Sequence, residues 1–166
     1  MFIRLASFDD IPQIMQLIND VVPAMIAAGN FQWDSTYPNA EVFEQDIILA
    51  QLWVAEIDGA VAGITAITTD QYPEYAEAGL DIDQIAIVTH RLVVSPHYRG
   101  RGVAEALMLQ AETVAKKRHI NILRVDTNSE NQATQRLFPK IGYRYTGEMA
   151  LSFRPGMRFF CYEKVI

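Results

Sequence analysis

Cysteine is almost absent from this chain of 166 residues, with Cys161 standing alone. A single thiol excludes an intrachain disulfide and any cysteine-based zinc cluster, and no metal is expected. Cys161 itself reads as a small buried hydrophobe. No apolar run approaches the roughly 18 residues a membrane span requires. Met1-Phe2-Ile3-Arg4-Leu5 also lacks the apolar core of a secretory leader, so the expectation is a cytoplasmic protein with no membrane partner. Positive charge is the scarcer sign: 14 Lys and Arg stand against 20 Asp and Glu, for a formal net charge of −6. That balance argues against nucleic acid and is compatible with a cationic or amine partner. Repeats, low-complexity tracts and linkers are missing too. So are G-x-x-x-x-G-K-[ST] and G-x-G-x-x-G, the phosphate loops of nucleoside triphosphatases and of dinucleotide folds.

What is present is apolar: half of the residues are hydrophobic, enough for one domain, 1–166, with a full core. Phe2 to Ala6 alternates as a short strand. A capping-box spacing at Ser7-Phe8-Asp9-Asp10 precedes a helical stripe of Ile11, Ile14, Met15, Ile18, Val22, Met25 and Ile26. Pro23 within it predicts a kink or a split into two short helices, ended by Gly29-Asn30. The loop Phe31 to Pro38 is dense in aromatic and polar groups. Trp33, Asp34 and Tyr37 are candidate substrate-binding residues, two surfaces and a partner for an amine, or else plugs of the core edge. Asn39 caps a predicted helix to about Gln51.

Leu52–Ile57 and Val61–Ile67 flank Asp58-Gly59, a strong hairpin signal. Residues 69–83 read as an irregular loop over one end of the sheet, and 84–94 as a long buried strand. A helix follows from near Gly102 to Lys116-Lys117-Arg118, then a strand over 121–127. A second capping-box spacing at Ser129-Glu130-Asn131-Gln132 opens a helix that stops near Gly142, and two strands, 143–149 and 158–165, close the chain. The class is α/β (α+β): one domain of strands and helices around a single core.

The stretch Val93-Val94-Ser95-Pro96-His97-Tyr98-Arg99-Gly100-Arg101-Gly102-Val103-Ala104 carries the chemistry. An apolar strand feeds a proline turn, then a loop of glycines and arginines, then a helix start. Glycines let backbone approach a ligand closely, and a helix start presents unpaired N–H groups and a positive dipole end. Together they read as a cradle for a phosphate or diphosphate.

Val94-x-Pro96-x-x-Arg99-Gly100-x-Gly102-x-Ala104 is followed about thirty residues on by Asn131 and then by Leu137-Phe138-x-Lys140-x-Gly142-Tyr143. This combination resembles the GNAT superfamily of acyl-CoA-dependent N-acyltransferases, motif by motif in the C-terminal half and in element order in the first. The resemblance implies a mixed, mostly antiparallel sheet of six to seven strands flanked by about four helices. It implies acetyl-CoA as acyl donor and a primary amine, on a small molecule or a peptide, as acceptor, joined by direct attack in a ternary complex. Leu92, Val93 and Val94 would pair with the pantetheine arm. The amides of Arg99, Gly100, Arg101, Gly102, Val103 and Ala104 would hold the diphosphate. Asn131 would hydrogen-bond the pantetheine region, and Phe138 falls where the family usually has a tyrosine that protonates the departing thiolate.

An ammonium has no lone pair, so attack needs a base. Asp126, at the end of its strand, and His90, on the strand that would hold the thioester, are the candidates, with Glu148 a weaker third. Each also has a bland reading, as a cap or a structural group. The rival class is a module of the same fold that binds CoA as a sensor without turnover, which the phenylalanine at 138 favours. Gln32 to Tyr37, Tyr72 to Tyr75 and the Arg154-Pro155-Gly156 loop are expected to form the acceptor pocket; acceptor identity and homodimer formation are left open by the sequence.

Overall fold

The alternating residues at the start form β1 (Phe2–Leu5), which pairs antiparallel with β2 (Leu52–Ile57), Phe2 opposite Glu56 and Leu5 opposite Trp53. The computed structural model describes residues 1–166. Seven strands form one sheet in the order β1-β2-β3-β4-β5-β7-β6, with β3 Ala60–Thr68, β4 Ile87–Val94, β5 Ile122–Asn128, β6 Arg144–Met149 and β7 Phe159–Val165. Four helices accompany it: α1 (Ile11–Ala27), α2 (Ala40–Ile48), α3 (Val103–Lys117) and α4 (Gln132–Lys140). The β1–β2, β2–β3, β5–β7 and β6–β7 pairs are antiparallel, and β4–β5 is parallel. The mixed, mostly antiparallel sheet with four helices is the architecture the sequence implied.

Local chemistry accounts for most boundaries. Asp58 and Gly59 take φ of 51° and 80°, the two left-handed residues a tight hairpin turn requires. Asn39 accepts a hydrogen bond from the Val42 amide and so caps α2. Four expectations are corrected. Pro23 lies inside a continuous α1 and does not divide it: the stripe of Ile14, Leu17, Ile18, Val21 and Val22 before it is buried, Met25 beyond it packs against the same core, and that packing outweighs one missing N–H. The cap of α4 is Asn131 and not Ser129, its side chain accepting from the Thr134 amide. Residues 69–83 are not wholly irregular: Pro73–Ala78 form a 3₁₀ turn that ends at left-handed Gly79. β4 also begins later than expected, at Ile87.

The chain divides into two compact units. The first comprises Met1–Ile67 with His90–Gln110, the second Thr68–Thr89 with Ala111–Ile166. In the first unit, one face of the strands packs Val54, Ile64 and Val93 against α1, α2, Trp33 and Phe43. The other face packs Ala55 and Ala62 against Val103 and Leu107 of α3, with Leu92, Val94 and Tyr98 alongside. Val93 and its neighbours Leu92 and Val94 therefore point to opposite faces, as strand periodicity demands. In the second unit, Tyr75, Leu80, Val88, Met149, Leu151, Phe159 and Cys161 form a core. Beside it, the fully buried Arg124 donates to Glu163, Gln71, Gln84 and the carbonyl of Asp81, tying the segment before β4 to β5.

Gly63 sets how closely β3, β4 and α3 approach in the first unit. A Cβ there would lie 2.7 Å from Val103 Cγ1 and 2.9 Å from the Val93 carbonyl oxygen. Gly63→Ala is expected to lower stability by about 1–3 kcal/mol through overpacking, read from the shift of the urea midpoint at unchanged slope.

Candidate active site

At the end of β4, the Ser95 amide donates to the Ala62 carbonyl at 2.8 Å, which anchors the exit of the strand. The Ser95 hydroxyl then accepts from the His97 amide, and the Tyr98 amide closes a 3₁₀ turn on the Ser95 carbonyl. Pro96 supplies the first residue of that turn, where a missing N–H costs nothing. The loop beyond is exposed, and the Arg101 guanidinium lies over the Tyr98 ring at 5.6 Å. Gly100 and Gly102 take φ of 75° and 76°, and open space surrounds the place where each Cβ would be. Immediately after them α3 begins, with Val103 and Leu107 buried beneath. The first N–H groups of this 15-residue helix have no partner within it. Arg99 to Ala104 is thus a run of backbone, exposed as far as Gly102, with two arginines and two left-handed glycines leading into a helix start, a form that fits a diphosphate.

Upstream, β4 changes character halfway. Its parallel register with β5 runs Ile87–Leu123, Val88–Arg124 and Thr89–Val125 and ends there. Two residues later Arg91 has φ of 52°, a left-handed conformation that costs a non-glycine residue about 1–2 kcal/mol. The surroundings hold it. Arg91 Nε and Nη2 donate to the two oxygens of the buried Asp46 on α2, at 2.9 and 2.7 Å, while Gln51 Nε2 donates to Asp46 as well. Burial weakens the guanidinium charge, but Asp46 and the Tyr37 hydroxyl outweigh that and raise its pKa above the usual value. The Thr65 hydroxyl donates to the His90 carbonyl next to it. His90 is half-buried on this strand, and the candidate base therefore sits beside a fixed distortion of the backbone.

The loop Phe31 to Pro38 separates its three candidates. Trp33 is buried in the core against α1 and α2, and Tyr37 packs partly against the same core. Asp34 is exposed, and its Oδ1 accepts from the Thr36 amide and hydroxyl and from the Tyr37 amide. Trp33 therefore takes the core-edge reading, Asp34 shapes the turn, and Tyr37 reaches Arg91.

In the second unit, the Tyr75 hydroxyl donates to Asp126 Oδ1 at 2.6 Å. Tyr75 is wholly buried, and desolvation with the adjacent carboxylate pushes its phenol well above the ordinary value. Asp126 is half-buried opposite Cys161 of β7. Burial, then the charge of Asp126, drive the Cys161 thiol far above its usual pKa. Glu148 is exposed and engaged with Arg158.

Residues 16–143 match the model of the acetyltransferase (GNAT) family. The chain belongs to that family. A GNAT family acetyltransferase from Streptococcus agalactiae 2603 is 31% identical, with a TM-score of 0.82 over 99% of this chain and 95% of that one. A Salmonella typhimurium protein, yncA, solved with its cofactor acetyl-CoA, shares the fold at 18% identity and a TM-score of 0.70, over 99% of this chain and 93% of that one. Among curated relatives, N-acetylaspartate synthetase from Xenopus tropicalis is 26% identical over 68% of this chain and 38% of its own length. N-acetyltransferase 8B from Mus musculus is 29% identical over 60% and 40%. The chain thus spans about two fifths of the length of these curated relatives.

Within this GNAT chain, Asn131 has one role visible in the structure, capping α4 through Oδ1 at 3.3 Å from the Thr134 amide. Phe138 is 1% exposed, in ring contact with Tyr143 and edge-on to Tyr162. It is a core residue on the helix face that packs inward. Sequence reasoning missed Arg91 and Asp46, and placed Tyr75 in the acceptor wall without its partner Asp126. The one available signal was Asp46 itself, a carboxylate three residues after Phe43 on the apolar side of α2, a position where an acid needs a buried partner.

Removing half of the Arg91–Asp46 pair should be more harmful than removing both. Asp46→Ala is expected to cost about 3 kcal/mol by stranding the guanidinium, and Asp46→Ala with Arg91→Met clearly less, compared in one denaturation series. Cys161 should react with an aromatic disulfide reagent at pH 8 only after denaturant is added, since the native thiol is buried and protonated.

Proposed function

We propose that residues 1–166 act as a single domain, in the cytoplasm, that transfers an acetyl group from acetyl-CoA to a primary amine. The observation that carries the reading is the Ser95–Ala104 segment, where two left-handed glycines with open space above them lead into the start of α3. Its backbone amides and Arg99 and Arg101 would hold the diphosphate, and the part of β4 beyond its ladder with β5, Leu92, Val93 and Val94, would pair with the pantetheine arm. Asn131 would contribute its side-chain amide to the same arm. Bound acetyl-CoA would supply an activated acetyl group on a thiol leaving group. The curated relatives are named for N-acetylation or for an N-acetylated product, which supports a nitrogen acceptor.

The protein's own task is then to place the amine and to take its proton. Asp126 or His90 would accept that proton directly or through one water, leaving a lone pair for attack on the acyl carbon. Strand amides of β4 would polarise the carbonyl, and holding both reactants together would contribute much of the rate. Phe138 has no proton to give. A thiolate with an ordinary pKa of about 8.5 leaves near neutral pH with protonation from solvent, so the reaction does not require that position.

Calorimetric titration with acetyl-CoA is expected to show one site per chain, and absence of binding at millimolar ligand would overturn the proposal. Of Asp126→Asn and His90→Gln, the variant of the base should lose kcat by about 10²-fold or more at saturating amine, and the other should stay within a few-fold. The buried Phe138 favours a second reading, a CoA-binding sensor of the same fold without turnover. Thiol release from acetyl-CoA that depends on added amine would exclude that reading.

A further inference from the structure

The second unit brings together three segments far apart in sequence. Tyr75 anchors the row, with its hydroxyl on Asp126 Oδ1. The Tyr72 ring stands edge-on to Tyr75, at 5.9 Å between centroids and 89°, and meets Phe153 at 5.7 Å and 49° on its other side. Phe153 lies between β6 and β7 and is half exposed, a large apolar ring held at the surface by neighbouring aromatics. At the far end the Arg154 guanidinium lies over the Phe153 ring at 5.5 Å. One continuous series therefore runs from a half-buried carboxylate, along three aromatic rings, to a cation.

The geometry points to an acceptor subsite here, for a small primary monoamine with an aromatic or apolar body. This rests on the acetyl-transfer reading above and names the substrate class for it. The arriving ammonium would sit against Asp126, whose orientation is set by the Tyr75 hydroxyl. Its apolar body would lie along Tyr72 and Phe153, the rings also favouring the positive end as it enters. Arg154 supplies the selectivity. A polyamine extended along the row would bring a second ammonium up to the guanidinium, and like charges at such range repel. An acidic amine, in turn, would place its carboxylate beside Asp126.

The test compares 2-phenylethylamine, spermidine and L-aspartate as acceptors at saturating acetyl-CoA, with thiol release as the readout. 2-Phenylethylamine should show a KM at least about tenfold below the other two. Tyr72→Ala and Phe153→Ala should each raise that KM by about tenfold, the size of a desolvated ring contact, with kcat and the acetyl-CoA dissociation constant unchanged. Arg154→Gln should lower the KM for spermidine. Preference for spermidine or L-aspartate, or an unchanged KM in both aromatic variants, would overturn the subsite while leaving acetyl transfer standing. Calorimetric titration of 2-phenylethylamine into the protein loaded with CoA decides the matter even without turnover. Binding weakened by Tyr72→Ala supports the subsite, and absence of binding overturns it. Failure of acetyl-CoA itself to bind would instead strike the reading of function on which it rests.

Discussion

The buried ion pair between Arg91 and Asp46 is the constraint on which the donor half of the candidate site depends. A left-handed arginine in a strand is costly, and it persists only where several contacts over-determine it. Here the contacts are two hydrogen bonds to a carboxylate held on α2, a glutamine that shares the carboxylate, and a tyrosine hydroxyl from the preceding loop. The distortion falls just past the last residue that pairs with β5, so β4 pairs with β5 over its first half and not over its second. The loop with Gly100 and Gly102 continues from that second half. Gly63, lying under the Val93 carbonyl and Val103, keeps strand and helix close enough for the turn to be short.

A second set of constraints organises the other unit. Arg124 is a charge buried without any exposed surface of note, and such a group is tolerated only when fully engaged. It uses Glu163 on β7 together with Gln71, Gln84 and the Asp81 carbonyl. The segment between β3 and β4 is thereby fastened to the sheet at both of its ends. Its 3₁₀ turn, in consequence, carries Tyr75 to Asp126, and Tyr72 follows to meet Phe153. Polar burial of this kind gives orientation more than stability, since each partner left alone would be a liability.

Much of this was legible in the residue pattern. Asp58-Gly59 specified its turn because both positions need positive φ, and Asn39 declared a helix start through its own side chain. The loop from Ser95 to Ala104 showed its turn and the helix start beyond it, because proline, glycine and helix-start chemistry are all local. Ser129 was mistaken for a cap because two overlapping spacings compete there, and the structure chose Asn131. Pro23 was read as a kink or a split because a local rule could not weigh the core packing of Val21, Val22 and Met25 around it. Trp33 and Asp34 looked like acceptor contacts; one is core and the other shapes its own turn.

The sequence alone determined the element order, the glycine loop into α3, the absence of a tyrosine at position 138 and membership of the GNAT family in outline. Those follow from short-range chemistry, where neighbours in the chain are neighbours in space. Only the tertiary structure decided that Asp46 belongs to Arg91 and Tyr75 to Asp126, pairs separated by 45 and 51 positions. No periodicity encodes such partners. Each is selected by the desolvation cost of burying a charge or a phenol alone, and that cost exists only once the fold has closed around it.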